Sequence, residues 1–204
     1  MQETAASMVD VTYPLHGSEL PRDHRRALAE ALERLVPWLA DPVQAGIHRI
    51  NVVAGSGPTA LLSQRARLML RVRRERVADL VPLQDAVLDV GGFPVQLGNV
   101  VAVRELLPHG TLYAHVVATA DDDELAFLEA IEGELDAMHV ACRRICGRRQ
   151  VIDNDGETLT GFSLMLDGLS PADSLRLLES GLGHHRRLGC GMFVPHKSAA
   201  ALRA

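Results

Sequence analysis

The sequence is poor in cysteine and lysine and has no long apolar run. Its three cysteines, Cys142, Cys146 and Cys190, are odd in number, and the C-x3-C spacing differs from the C-x2-C of zinc ribbons. We therefore expect reduced packing thiols, with no bound metal and no other cofactor. No stretch of about 18 apolar residues is present, so no membrane span is expected. The N-terminal residues lack a basic region followed by an apolar run and a cleavage site, which predicts a cytoplasmic protein without a secretory signal.

Acidic residues are concentrated in one segment. The formal net charge is −5, but residues 121–136 contain eight acids and no base, so the rest of the chain carries +3. A mildly basic body is more compatible with nucleic acid than the total charge suggests. Of the 21 basic residues only Lys197 is a lysine. The arginine excess suits phosphate binding, although a GC-rich genome produces the same bias.

Apolar periodicity in the first half predicts a strand, a helix, two strands, a helix and a strand. A chain of 204 residues with 47% apolar content can form one large or two small domains. Residues 8–15 alternate as a half-buried strand does, and Pro21 with helical apolar spacing predicts a helix over roughly 22–36. β-type segments at 47–53 and 66–72, a short helix from about 75, and strands around a Gly-Gly turn follow. This order is the βαββαβ pattern of ferredoxin-like domains.

The second half repeats the pattern. The predicted elements are strands at 111–119, 148–153 and 159–166, a helix at 122–138, a hairpin turn at the DNDG of 153–156, a helix capped by Ser170, and a last strand in CGMFVP. We predict an α+β protein of two tandem ferredoxin-like βαββαβ domains with antiparallel sheets. The first covers residues 1–108. The second covers 109–204 and carries a glycine-rich loop.

The densest local motif is GLGHHRRLGCG at residues 181–191. It consists of Gly181, Gly183, His184, His185, Arg186, Arg187, Gly189 and Gly191 with two leucines and a cysteine. Such a loop can bring main-chain N–H groups close to phosphate oxygens, and its two arginines add positive charge. It matches neither the Walker nor the Rossmann glycine pattern, which makes a nucleotide enzyme remote. A glycine-rich turn with solvated arginines is the other interpretation.

Several stretches together resemble one family. They are VDVTYPLHG, LPRDHRRAL, ARLMLRV, LDVGGFPVQLG, TLYAHVVAT, LTGFSLMLDGLSPADSLRLLESGLG and the glycine-rich terminus, and they span nearly the whole chain. The chain resembles the endoribonucleases of type I CRISPR systems, within the repeat-associated mysterious protein superfamily, and most closely the Myxan subtype. The resemblance implies two ferredoxin-like, RNA-recognition-type domains, the first carrying the candidate catalytic histidine and the second the glycine-rich RNA-binding loop. It also implies metal-independent cleavage of precursor RNA within each repeat, by attack of the ribose 2′-oxygen, leaving a 2′,3′-cyclic phosphate and a 5′-hydroxyl.

The implied partners are CRISPR repeat RNA, both precursor and mature, and other subunits of a type I effector complex. The family's histidine lies in an Asp-His context at the start of the first helix, which corresponds to Asp23 and His24. His24 is therefore the implied catalytic residue, as base or as acid. Where the family has glycine and tyrosine next, this chain has Arg25 and Arg26, and we include Arg26 as a candidate phosphate-facing cation.

Two further alternatives stay open. The basic cluster Arg143, Arg144, Arg148 and Arg149 is a candidate contact for the repeat hairpin, or else a solvated hairpin edge. The chain as a whole is either an endoribonuclease or a non-catalytic subunit that binds repeat RNA with the same fold.

Overall fold

The computed structural model describes residues 6–53, 57–120, 122–154 and 157–197. The chain forms two compact units. The first comprises Met1–Glu105 together with Arg187–Gly189, and the second comprises Leu106–Arg186 together with Cys190–Ala204. The sequence-based division assigned all of 109–204 to one domain, whereas the contacts group Arg187–Gly189 with the first unit. The functions assigned to the two domains stay predictions.

The first unit contains a four-stranded core sheet in the ferredoxin-like order. Its elements are β1 (Met8–His16), β2 (Glu19–Pro21), α1 (Arg25–Leu35), β3 (Ala45–Ile47), β4 (Thr59–Leu61), β5 (Arg67–Arg73), β6 (Val87–Val90), β7 (Phe93–Leu97) and β8 (Ala102–Glu105), with 3₁₀ helices at Pro37–Ala40 and Arg74–Leu83. The antiparallel order of these four strands is β3-β5-β1-β8. At the end of β1, β7 pairs with β1 and β6 pairs with β7. Leu28 and Leu32 of α1 are buried, as are the alternate residues of β1 and β5.

Three predicted elements of this unit differ from the structure. The first helix begins at Arg25 because Pro21 is the last residue of β2, which pairs with β4. The predicted strand over 47–53 ends at Ile47, and residues 48–52 are irregular. The second helix is a 3₁₀ helix that contains Pro82, which has no N–H to donate.

The second unit has the βαββαβ order of elements. They are β9 (Thr111–Thr119), α2 (Glu124–Ala137), β10 (Arg143–Asn154), β11 (Glu157–Asp167), α3 (Pro171–Ser180), a 3₁₀ turn at Arg186–Leu188 whose first residue belongs here, and β12 (Phe193–Pro195). The antiparallel order is β10-β11-β9-β12. Asp123 and Ser170 accept hydrogen bonds from main-chain N–H groups of the first turns of α2 and α3.

The apolar face of α2 and the pairing of β10 with β11 complete the second unit. Phe127, Ile131 and Leu135 of α2 are buried, and the ring of Phe127 lies 5.0 Å from that of Phe162. The strand predicted at 148–153 begins five residues earlier, at Arg143. The predicted DNDG turn lies partly outside the described residues, between the end of β10 and the start of β11. The α+β class with antiparallel sheets is confirmed.

Candidate functional site

His24 lies in the first unit as the residue immediately before α1. Its carbonyl accepts the first hydrogen bond of the helix from Leu28, but its side chain makes no capping bond. The side chain turns inward instead, and His24 is only 4% exposed. The main-chain N–H of Ile50 donates to Nε2 at 3.2 Å. His24 is therefore a buried, hydrogen-bonded histidine.

The surroundings of His24 favour the neutral imidazole. Burial lowers the pKa of His24 from its usual value, and the positive charge of Arg25 lowers it further. The carbonyls of Pro21 and Arg22 and the carboxylate of Asp23 raise it in part, and Nδ1 is buried. Because Nε2 accepts from Ile50, the proton of the neutral ring is assigned to Nδ1.

The arginines that follow His24 differ in their contacts. Arg25 is buried, and its Nη1 donates to the carbonyl of Leu188 at 2.8 Å. Arg26 is partly exposed, and its Nη1 lies 2.8 Å from Oε1 of Glu30, one helical turn further along α1. The Arg26 guanidinium therefore lies at the surface, two residues after His24 in the sequence. It is paired with the Glu30 carboxylate, which an RNA phosphate would have to replace. Its predicted catalytic role stays a prediction.

The glycine-rich terminus is held mainly by its own unit. In the second unit, the N–H of Gly183 donates to the carboxylate of Glu134 at 2.8 Å, and the N–H of Gly191 donates to the carbonyl of Val116 at 2.8 Å. Nη1 of Arg186 donates to the carbonyls of Glu179 and Ser180, at the end of α3. These bonds give two glycines and a buried arginine structural roles. Their predicted contact with phosphate stays a prediction.

The remaining members of the motif divide into exposed and docked residues. His184 and His185 are exposed, and His185 has a positive φ of 66°. Such a backbone is uncommon outside glycine and is strained. In the first unit, Nε and Nη2 of Arg187 donate to the two carboxylate oxygens of Glu33 at 2.8 and 2.7 Å. Arg187 thus meets an anion supplied by the protein itself.

The four arginines of the predicted RNA contact all lie on β10. Three of them form ion pairs, Arg143 with Asp167, Arg144 with Glu132, and Arg149 with Asp122. Arg148 is exposed and lies in a β-bulge, where Gly147 and Arg148 together face a single residue of β11. Of the four, it alone makes no ion pair with a described residue.

Sequence inspection missed a charged cluster on the sheet of the first unit. Nε and Nη2 of Arg71 donate to both carboxylate oxygens of Asp10 at 2.8 and 2.9 Å, with the Arg71 side chain only 1% exposed. Nε2 of His48 lies 3.9 Å from Oδ1 of Asp10. Asp10 lies in β1 and Arg71 in β5, at paired register positions. Both are visible in the sequence as charged residues inside predicted strands.

No three metal-binding side chains cluster among the described residues, and none of the helices described is long and apolar enough to cross a membrane.

Comparison with known proteins identifies consistent relatives. The family model for Cas6, described as "Cas6 Crispr", matches residues 9–198. The CRISPR-associated endonuclease Cas6 of Myxococcus xanthus strain DK1622 is 34% identical over 197 residues, covering 96% of this chain and 85% of that protein.

Two solved structures share the fold. One, described as a RAMP protein binding different RNA substrates, has a TM-score of 0.63 at 13% identity and covers 93% of this chain and 99% of its own. The other is Thermus thermophilus Cse3 bound to an RNA representing a pre-cleavage complex. It has a TM-score of 0.52 at 15% identity and covers 92% of this chain and 98% of its own.

Proposed function

The chain belongs to the Cas6 family, and from that membership we propose that it is an endoribonuclease that cuts CRISPR precursor RNA within each repeat. The family match over residues 9–198 carries this proposal, because it spans both units. The relative from Myxococcus xanthus is itself described as an endonuclease. The RNA-bound and RNA-binding proteins that share the fold have the same class of ligand, RNA.

The chemistry we propose needs no metal. The ribose 2′-oxygen attacks the adjacent phosphorus while a base takes the 2′-hydroxyl proton. The bond from phosphorus to the 5′-oxygen breaks, and an acid protonates that oxygen. The products are a 2′,3′-cyclic phosphate and a 5′-hydroxyl, and a cation facing the equatorial oxygens stabilises the charge of the transition state.

We assign the base to His24. A base must be unprotonated before the reaction, and the lowered pKa of His24 keeps its imidazole neutral near pH 7. The lone pair at Nε2 is held by the Ile50 N–H and the ring is buried. Contact with a ribose therefore requires the His24 side chain or the main chain around Ile50 to move. We assign the facing cation to Arg26, whose guanidinium would exchange the Glu30 carboxylate for a phosphate.

The RNA surface we propose uses the exposed basic groups. Arg148 has the strongest case, because its guanidinium makes no ion pair with a described residue and the bulge displaces it from the regular strand. Arg143, Arg144 and Arg149 and the exposed His184 and His185 complete the surface. We also propose that the protein stays bound to the cut RNA, mature guide RNA, within a type I effector complex.

A single observation favours the non-catalytic alternative. His24 is buried and hydrogen-bonded, as a purely structural histidine would be. A protein that binds repeat RNA with the same fold and does not cut it has no need to free that ring. The two functions are separated by the products formed, and not by affinity.

The test uses labelled RNA carrying the CRISPR repeat of the source genome. Cleavage in EDTA that is blocked by one 2′-deoxy ribose at the cut position supports the proposed mechanism. His24→Gln is the matched variant, because its amide oxygen can still accept from the Ile50 N–H but cannot take a proton. Loss of a single general base slows cleavage by about 10²- to 10⁴-fold, with binding unchanged. Tight binding without cutting by the unmodified protein would favour the non-catalytic alternative.

A further inference from the structure

Within the first unit, the segment Arg187–Gly189 is bound to α1 through Arg187. Both donors of the Arg187 fork meet both oxygens of Glu33, at 2.8 and 2.7 Å. The Glu33 side chain is 16% exposed, so the carboxylate is largely shielded from water. A bidentate, partly buried pair of this kind fixes orientation as well as distance. The two residues are 154 positions apart in the sequence.

The same segment contacts the neighbours of both partners in the His24–Ile50 hydrogen bond. The Leu188 carbonyl accepts from Nη1 of Arg25, which adjoins His24. Gly189 lies against the main chain between the end of β3 and Ile50. A Cβ at this position would be 3.0 Å from the Ile47 carbonyl oxygen and 3.2 Å from the N of Arg49, which adjoins Ile50. The segment therefore touches the start of α1 and the chain around Ile47–Arg49 at once.

We propose that Arg187–Gly189 is a positioning element for His24, which holds the start of α1 and the Ile50 main chain in register with each other. Arg187 is then a positioning residue that acts through Glu33, and not a direct phosphate contact. The inference rests on the proposed catalytic role of His24. It also explains why residue 189 is a glycine, because a side chain there would be strained at a φ of +74° and would lie tightly against two main-chain atoms.

Charge reversal distinguishes a positioning arginine from a phosphate contact. We compare Arg187→Gln, Glu33→Gln and the double variant Glu33→Arg with Arg187→Glu. The readouts are the single-turnover cleavage rate at saturating protein and the Kd for repeat RNA. Each single variant is expected to cut about ten-fold more slowly, since small misplacement of a catalytic group is costly, with Kd changed by less than about two-fold. The double variant should recover most of the rate, because it restores an ion pair of opposite polarity.

A phosphate contact gives the opposite pattern. Arg187→Gln would then raise Kd and lower the salt dependence of binding by about one ion. Glu33→Gln would leave the rate unchanged, and the double variant would bind worse than either single one. That result would overturn the proposal.

Gly189→Ala tests the same element without changing charge. Its matched control is Gly92→Ala in the same unit, where φ is +88° but nothing lies within 4 Å of the added Cβ. Both substitutions strain the backbone, and only the first pushes on the chain beside Ile50. We expect Gly189→Ala to slow cleavage by about ten-fold and Gly92→Ala to cut at the wild-type rate. Equal rates in the two variants would contradict the inference.

A spectroscopic readout separates this inference from the proposed function. The ring nitrogen signals of His24 in ¹⁵N-labelled protein, assigned with His24→Gln, report its environment whether or not the protein cuts RNA. We expect those signals to shift in Arg187→Gln and Gly189→Ala, and to stay in place in Gly92→Ala. If they do not move, the positioning role is wrong even where His24→Gln is inactive. If they move while His24→Gln cuts at the wild-type rate, the positioning stands and the catalytic assignment fails.

Discussion

The main-chain N–H of Ile50 donates to Nε2 of His24 across 3.2 Å inside the first unit, where neither residue is appreciably exposed. This bond holds the imidazole in one tautomer. It also means that protonating the ring has a cost in the folded protein, because Nε2 would face another donor. Burial, and after it the positive charge of Arg25, lowers the pKa of His24, and this shift makes the stability of the fold depend on pH.

The free energy of unfolding should fall on acidification in a way that traces to His24. Its pKa is lowered in the folded chain, whereas in the unfolded chain it returns to about 6.5. The contribution of neutral His24 to the free energy of unfolding is therefore complete above about pH 6.5. It is lost as the pH falls from there through the lower pKa of His24 in the folded chain. Urea unfolding of wild type and His24→Gln, at several pH values between about 7.5 and 5.5, should show the steeper loss in wild type. Parallel curves would mean that His24 ionises equally in both states.

The ion pair between Asp10 and Arg71 should be among the most sensitive charged positions for stability. Asp10→Ala leaves the buried guanidinium of Arg71 without its carboxylate, and breaking a buried pair in this way costs about 3–5 kcal/mol. The control is Glu105→Ala, which removes the partner of Arg74 from an exposed pair and should change stability little. Denaturant unfolding of both variants measures the difference. Similar losses in the two would show that burial does not govern the pair.

The sequence predicted the elements that depend on local pattern. Alternation along β1 and β5, the apolar stripes of α1 and α2, and the Ser170 cap of α3 are all properties of neighbouring residues, and the structure has them. The order of elements then restricts each half to one common sheet topology. Those predictions needed no knowledge of distant contacts.

The sequence could not predict the surroundings of residues whose partners lie far along the chain. His24 is buried, and its ring accepts a hydrogen bond from Ile50, which lies 26 positions away. Arg187 is paired because Glu33 lies 154 positions earlier. Neither partner is visible in a local window, so an arginine in a glycine-rich loop predicts a phosphate contact by default. The start of α1 was placed too early for the same reason, since Pro21 pairs in a strand with Thr59.

Removing Arg148 should weaken RNA binding more than removing Arg144. Both are arginines of β10, but Arg144 donates to Glu132 at 2.9 Å, whereas Arg148 has no such ion pair among the described residues. A free guanidinium gains more from a phosphate than one that must first release a carboxylate. We expect Arg148→Ala to lower the salt dependence of repeat-RNA binding by about one ion, and Arg144→Ala to lower it less. Binding titrations at several salt concentrations measure this, and equal slopes would contradict the ranking.

Gly191→Ala should disrupt the second unit, because two segments of the glycine-rich terminus cross at this residue. A Cβ there would lie 1.9 Å from the carbonyl oxygen of Leu182, a main-chain atom that cannot rotate away, and φ is +65°. Gly168→Ala in the same unit shares the backbone strain, with φ of +80°, but nothing lies within 4 Å of its added Cβ. A strained backbone alone costs of the order of 1–3 kcal/mol, so Gly168→Ala should lower Tm modestly while Gly191→Ala loses cooperative unfolding or falls well below it. Thermal unfolding of the two proteins decides the matter, and equal Tm values would show that the crossing relaxes without cost.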